Sequence, residues 1–307
     1  MKSQSDQKII DRILTLKQEK SVYIIAHYYQ VPEIQDLADF VGDSYAMAVA
    51  AKNSPLDTIL VAGVDFMAES AAILCPGKTV LTPEPGATCP MANAIRVEDI
   101  EAYKEQHPDA LIVSYVNTPA AIKAVSDVCV TSSNAVKIIS KLPKDVPIFF
   151  IPDENLGRYV QSQLDRKMDF FPSSCPIHAA LTPETIALRK LEHPGAEVMV
   201  HPECRPEVIQ MADYVGSTAG IISHACKCTQ RELIIGTECG IMHKIEELNP
   251  DKKLILADPE LVCADMKKIT PEKILYSLEH METKVTVPEE IRVKAAVALE
   301  KMIELAS

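Results

Sequence analysis

Residues 89–100 read CPMANAIRVEDI, residues 175–186 read CPIHAALTPETI, and residues 263–274 read CADMKKITPEKI. The three stretches are variants of one pattern. An aliphatic residue falls six positions after each cysteine (Ile95, Leu181, Ile269), a glutamate nine after (Glu98, Glu184, Glu272) and an isoleucine eleven after (Ile100, Ile186, Ile274). Cys89, Cys175 and Cys263 are 86 and 88 residues apart. Recurrence at a fixed period marks a chain built from like units. Here the unit is domain-sized, and one thiol at the same place in each predicts three domains sharing one metal centre.

Working outward, each unit opens on a short apolar run: VYIIA at 22–26, ALIVS at 110–114 and EVMV at 197–200. Such runs suit buried parallel strands. A polar triplet follows each: His27, Tyr28 and Tyr29; Tyr115, Val116 and Asn117; His201, Pro202 and Glu203. A proline (Pro32, Pro119, Pro206) then marks a helix start. An aspartate closes the next segment (Asp39, Asp127, Asp213), and a hydroxyl lies five residues on (Ser44, Ser132, Thr218). TILVAG, VPIFFIPDEN and KKLILADP supply further strands. Strands alternating with helices predict an α/β fold of three αβα sandwich domains with parallel sheets, related by pseudo-threefold symmetry around a central site. The expected limits are 1–100, 101–187 and 188–270, with a helical tail over 271–307.

Ligands bind outside the carboxyl ends of parallel strands, where the triplets lie. Hydroxyls and free N–H groups at helix starts suit carboxylate or phosphate. The same hydroxyls are also natural N-caps, with Ser217 beside Thr218 as a lesser member of the set. Three thiolates fit either zinc with a solvent site or a [4Fe–4S] cluster with one iron left open. Spacing does not choose between them. His178 follows Cys175 as a CxxH pair, but the matching positions are Ala92 and Met266, so packing or a local contact is expected of it. HACKC (His224, Cys226, Cys228), with Cys204 and Cys239 nearby, has no counterpart in the other units. Cys75 and Cys129 read as buried filler. Glu69 and Glu238 are candidate buried acids without an assigned role.

Composition limits the class of function. The 307 residues are 47% hydrophobic and 24% charged, as in globular domains with buried cores. A net charge of −12 argues against a nucleic-acid partner. The charged N-terminal stretch is not a signal peptide, and no apolar run reaches the roughly 18 residues of a membrane span. A cytoplasmic location is therefore expected, where nine cysteines read as thiols or metal ligands.

AHYYQVPEIQDLADFVGDS, ATCPMA, SYVNT, CVTSSNAV, VHPEC and CADMKKIT together resemble quinolinate synthase, the A-protein family of bacterial and archaeal NAD biosynthesis. The resemblance runs from about residue 20 to 280. It implies a triangle of three αβα domains around a [4Fe–4S] cluster held by Cys89, Cys175 and Cys263. It also implies condensation of iminoaspartate with dihydroxyacetone phosphate to quinolinate, phosphate and water. His27, Ser44, Tyr115, Val116, Asn117, Ser132, His201, Pro202, Glu203 and Thr218 match positions that bind substrates and intermediates. Tyr29 and Glu203 match groups used in proton transfer. CADMK stands where many relatives have a CPNMK-like sequence, FPSSC replaces a WPGFC-like one, and the C-x-x-C-x-x-C group of some relatives is absent.

Residue chemistry agrees with those demands. Tyr29, Tyr115, His201 and Glu203 are proton-transfer candidates, and an open iron would assist dehydration. L-aspartate oxidase or aspartate dehydrogenase is a possible transient partner supplying iminoaspartate. Two other readings are a diphthamide-type enzyme that cleaves S-adenosylmethionine and a non-catalytic iron–sulfur sensor or carrier.

Overall fold

The short apolar runs become strands in the computed structural model, which describes residues 4–307. The first unit holds β1 (Val22–His27), β2 (Phe40–Gly42), β3 (Thr58–Ala62) and β4 (Thr79–Leu81). The second holds β5 (Leu111–Tyr115), β6 (Val128–Val130), β7 (Ile148–Ile151) and β8 (Asp169–Phe170). The third holds β9 (Glu197–Val200), β10 (Tyr214–Val215), β11 (Glu232–Gly236) and β12 (Lys253–Leu256). Each forms a four-stranded sheet with the same order, second strand, first, third, fourth. All pairings between these strands are parallel. Helices cover both faces, which is why the central strands are almost wholly buried and read as unbroken apolar runs. The chain is thus an α/β protein of three like units.

One strand assignment changes. KKLILADP is the outer strand β12, and the place that TILVAG takes in the first unit belongs in the third to β11, ELIIG. Besides β11, the strands absent from the sequence reading, β2, β4, β6, β8 and β10, have two or three residues each and are too short to display a period.

The repeated aspartates are structural. Asp39, Asp127 and Asp213 each accept the backbone N–H of Ile24, Ile112 or Val198 at 2.8–2.9 Å and donate their own N–H to the same residue's carbonyl. A lysine from the helix before each first strand sits beside the aspartate: Lys17 at 2.8 Å, Lys104 at 3.6 Å and Lys190 at 3.6 Å. These knots tie the second strand to the starting end of the first, away from its carboxyl end.

Each cysteine stretch hands the chain to the next unit. In the helix Val97–Gln106, Ile100 packs with Ile112 and Phe149 of the second sheet. In Pro183–Glu192, Ile186 packs with Val198 and Ile234 of the third. The divisions at residues 100 and 187 fall inside these helices, and we propose unit limits near residues 96 and 182. The helix Pro271–His280 closes the circle by packing on Gln4–Glu19. The last helix, Glu289–Ala306, lies against Ala120–Ala124 and β6, and its buried face joins the apolar core common to the first two units. No helix among the described residues is long and apolar enough to cross a membrane.

Candidate active site

The carboxyl ends of the first strands meet around one cavity of about 280 Å³. His27, Tyr29 and Ser44 line it from the first unit, Tyr115, Asn117 and Ser132 from the second, and His201, Glu203 and Thr218 from the third. Cys89, Cys175 and Cys263 border the same space, each half-buried. Three of the expected site residues do not line it. Val116 is buried and bonds Val130 through its backbone, Pro202 is buried, and Ser217 is a helix cap.

The hydroxyls are not the caps the sequence allowed. Asp43 caps Ser44–Asn53 by accepting from Ala46, and Ser217 caps Thr218–Lys227 by accepting from Gly220. Asn134 takes the N-cap place of Ala135–Lys141, its side chain accepting from the N–H of Thr131. Asp43 and Ser217 thus do that work one residue earlier, Asn134 holds the N-cap place without a side-chain cap bond, and Ser44, Thr218 and Ser132 face the cavity.

The histidines are set by backbone. The N–H of Tyr29 donates to His27 Nδ1 at 3.1 Å, which places that ring's proton on Nε2. His201 Nδ1 faces both the N–H of Glu203 at 3.4 Å and its carboxylate. His201 Nε2 lies 3.2 Å from Ser132 Oγ. Burial, then the charges of Lys267 and His201, push His27 down to about 3. Burial also lowers His201, against the pull of Glu203. His27 is therefore a neutral hydrogen-bond donor at neutral pH.

Glu203 is buried, with Oε2 2.8 Å from His178 Nδ1 and 3.4 Å from His201 Nδ1. Burial alone would raise its pKa, but His201 and His178 outweigh that and hold the carboxyl well below the usual range. Its Oε1 has no partner among the described residues. His178 Nε2 meets Thr237 Oγ1 at 2.8 Å, Thr237 meets the Tyr29 hydroxyl at 3.0 Å, and Thr218 donates to that hydroxyl at 3.1 Å. Burial first, and Glu203 second, raise Tyr29 and Tyr115 well above the normal phenol value, so both stay protonated.

His178 thus joins the site through specific contacts, where its unmatched place in the repeat left packing or a local contact as the expectation. Thr237 gave no sequence signal beyond its place after β11. HACKC stays outside. His224 bonds Glu197 at 2.6 Å, and Asn249 and Lys252 donate to Cys226 and Cys228. Cys75, Cys129 and Cys204 are buried.

The three thiols suit a soft metal centre. Burial pushes Cys89 up to about 12 and Cys175 well above its usual value, and neighbouring carboxylate and thiol groups add to both shifts. Such thiols ionise only when a metal displaces the proton. Cys175, His178 and Glu203 also place ligand atoms within 4.8 Å of one another. No lysine or arginine among the described residues lines the cavity.

The family model described as quinolinate synthetase A protein matches residues 11–304. The chain belongs to that family. A quinolinate synthase of Methanosarcina barkeri is 45% identical over 296 residues, covering 96% of this chain and 97% of the relative. One from Dehalococcoides mccartyi is 47% identical over 297 residues, covering 97% and 98%. One from Thermus thermophilus is 43% identical over 306 residues, covering 97% of each. Three equal sheets meeting at a cavity with one thiol each are this family member's framework.

Proposed function

We propose that this chain is a quinolinate synthase of NAD biosynthesis. It condenses iminoaspartate with dihydroxyacetone phosphate, releasing phosphate and water, at a [4Fe–4S] cluster held by Cys89, Cys175 and Cys263. The observation that carries the reading is the convergence of three thiols, one per unit, with the three strand-end triplets on one cavity. When bound, a cluster with three protein thiolates supplies an open iron as Lewis acid for loss of hydroxide.

The protein's own groups divide the remaining work. His27, His201, Ser44 and Ser132 receive the anionic substrates, with no lysine or arginine of the described residues beside them in the lining, and Thr218, whose proton goes to Tyr29, offers its oxygen as an acceptor. Asn117 Oδ1, buried and unpartnered among the described residues, accepts from a substrate N–H or O–H. Proton transfer runs along one chain of hydrogen bonds. Thr218 donates to Tyr29, Tyr29 to Thr237, Thr237 to His178 Nε2, and His178 Nδ1–H to Glu203. A proton taken up at Tyr29 passes through Thr237 and His178 to Glu203 without any tyrosinate being formed. Glu203 is the base, and its anionic form at neutral pH meets that demand.

A cytoplasmic location would suit the oxygen sensitivity that a cluster with an open iron is expected to have. An aspartate-oxidising enzyme is the fitting source of iminoaspartate, which hydrolyses readily. The test is anaerobic purification with iron and sulfide analysis, then an assay for quinolinate from the two substrates. Iron and sulfide near four each per chain, lost in Cys175→Ala, together with product, is the expected result. Tight zinc without iron, or a full cluster surviving that substitution, would overturn it.

A further inference from the structure

Two of the three cysteine loops carry a buried acid that the chemistry above does not use. The backbone N–H of Cys263 donates to Glu238 Oε1 at 3.1 Å, and that of Cys175 to Asp153 Oδ2 at 3.1 Å. The acids hold equivalent places, two residues beyond the ends of β11 and β7. Both are fully buried. Their second oxygens accept from Gly240 N at 2.7 Å and Leu156 N at 2.8 Å.

Burying a carboxylate is costly, so plain packing would be met better by an apolar residue. What an acid provides is a rigid acceptor for two backbone donors at once. We infer that Glu238 and Asp153 are positioning residues for the metal centre, each fixing the backbone of its unit's cysteine so that the sulfur stays turned to the cavity. The inference rests on the three-cysteine reading above.

Glu238 has a wider reach. Lys267 Nζ lies 2.8 Å from Glu238 Oε1 and also donates to the carbonyl of Tyr29. Gly240 brings the Glu238 turn against that same loop, where an added Cβ would lie 2.7 Å from Tyr28 O and 2.8 Å from Tyr29 Cα. Cys263 and the His27–Tyr29 triplet are therefore held in register by one buried ion pair. The first unit departs from the pattern. Val64 holds the equivalent place two residues beyond β3, and the residue before Cys89, Thr88, gives its N–H to Asp265 Oδ1 at 3.4 Å. The Cys89 loop is thus held by an acid from the Cys263 stretch.

The test compares Glu238→Ala, Asp153→Ala, Glu238→Gln and Lys267→Met with the parent, all purified without oxygen. Iron loss to an external chelator is followed by visible absorbance, and the reduced cluster is examined by electron paramagnetic resonance. Melting of the metal-free proteins reports folding separately. The expected result is at least tenfold faster iron loss in both alanine variants and an altered resonance. Recovery toward parental iron loss is expected in Glu238→Gln, whose amide oxygen still accepts from Cys263. Where an alanine variant does not fold, Lys267→Met is decisive, with iron loss accelerated severalfold at unchanged folding. Parental iron-loss rates and spectra in the folded variants would overturn the positioning role alone. Absence of iron–sulfur absorbance in the parent would overturn the cluster reading, and the positioning role with it.

Discussion

Glu203 is the residue on which the chemistry turns, because burial and two imidazoles pull its proton affinity in opposite directions and the imidazoles win. Glu203→Gln keeps the shape and removes the base. Turnover should fall about 10²–10⁴-fold with cluster content unchanged, as measured by iron analysis and product formation. Parental turnover would remove Glu203 from the chemistry. His27 makes a pH prediction. Its folded value is about 3, against 6.5 for an ordinary imidazole. Above pH 6.5 neither state binds the extra proton and the stability is fully present. As pH falls from 6.5 toward 3 the unfolded state binds it first, so stability is lost. His201 and Glu203, also lowered, act in the same direction. His27→Gln should flatten the acid loss of denaturation free energy between those limits, by on the order of a few kcal/mol. An unchanged acid slope would contradict it.

At the scale of elements, the recurring knot of aspartate, strand amide and lysine explains why a sequence period survives where no substrate is bound. Asp127→Ala would strip a buried strand N–H of its acceptor and should cost about 1–3 kcal/mol in urea unfolding, with substrate affinity unaffected. A changed KM would place the aspartate in the site instead. These knots, the leading strands and the cysteine stretches were legible because each occurs three times. His178 was legible only as the third residue after Cys175, its role obscured because Ala92 and Met266 stand where it would repeat, and Thr237 was not legible at all. Ser44, Ser132 and Thr218 were ambiguous between cap and ligand until Asp43, Asn134 and Ser217 were seen in the capping places.

For the whole molecule, the C-terminal helix Glu289–Ala306 is the element that departs from threefold likeness. Its Ala295, Ala298, Leu299 and Met302 are buried in the core common to the first two units. Leu299→Ala should cost about 2–5 kcal/mol in unfolding free energy. A loss below about 1 kcal/mol would mean that the helix merely covers the surface. The residue period by itself determined the three-unit α/β plan, the three thiols and most of the polar wall, since duplicated positions in a parallel sheet point to equivalent strand ends. Only the tertiary structure decided how unlike residues combine across units: Tyr29 of the first, His178 of the second, and Glu203 with Thr237 of the third in one hydrogen-bonded chain. The physical reason is distance. A hydrogen bond forms at about 3 Å in space, and residues 29, 178 and 203 reach that separation only after three sheets have packed around a common centre.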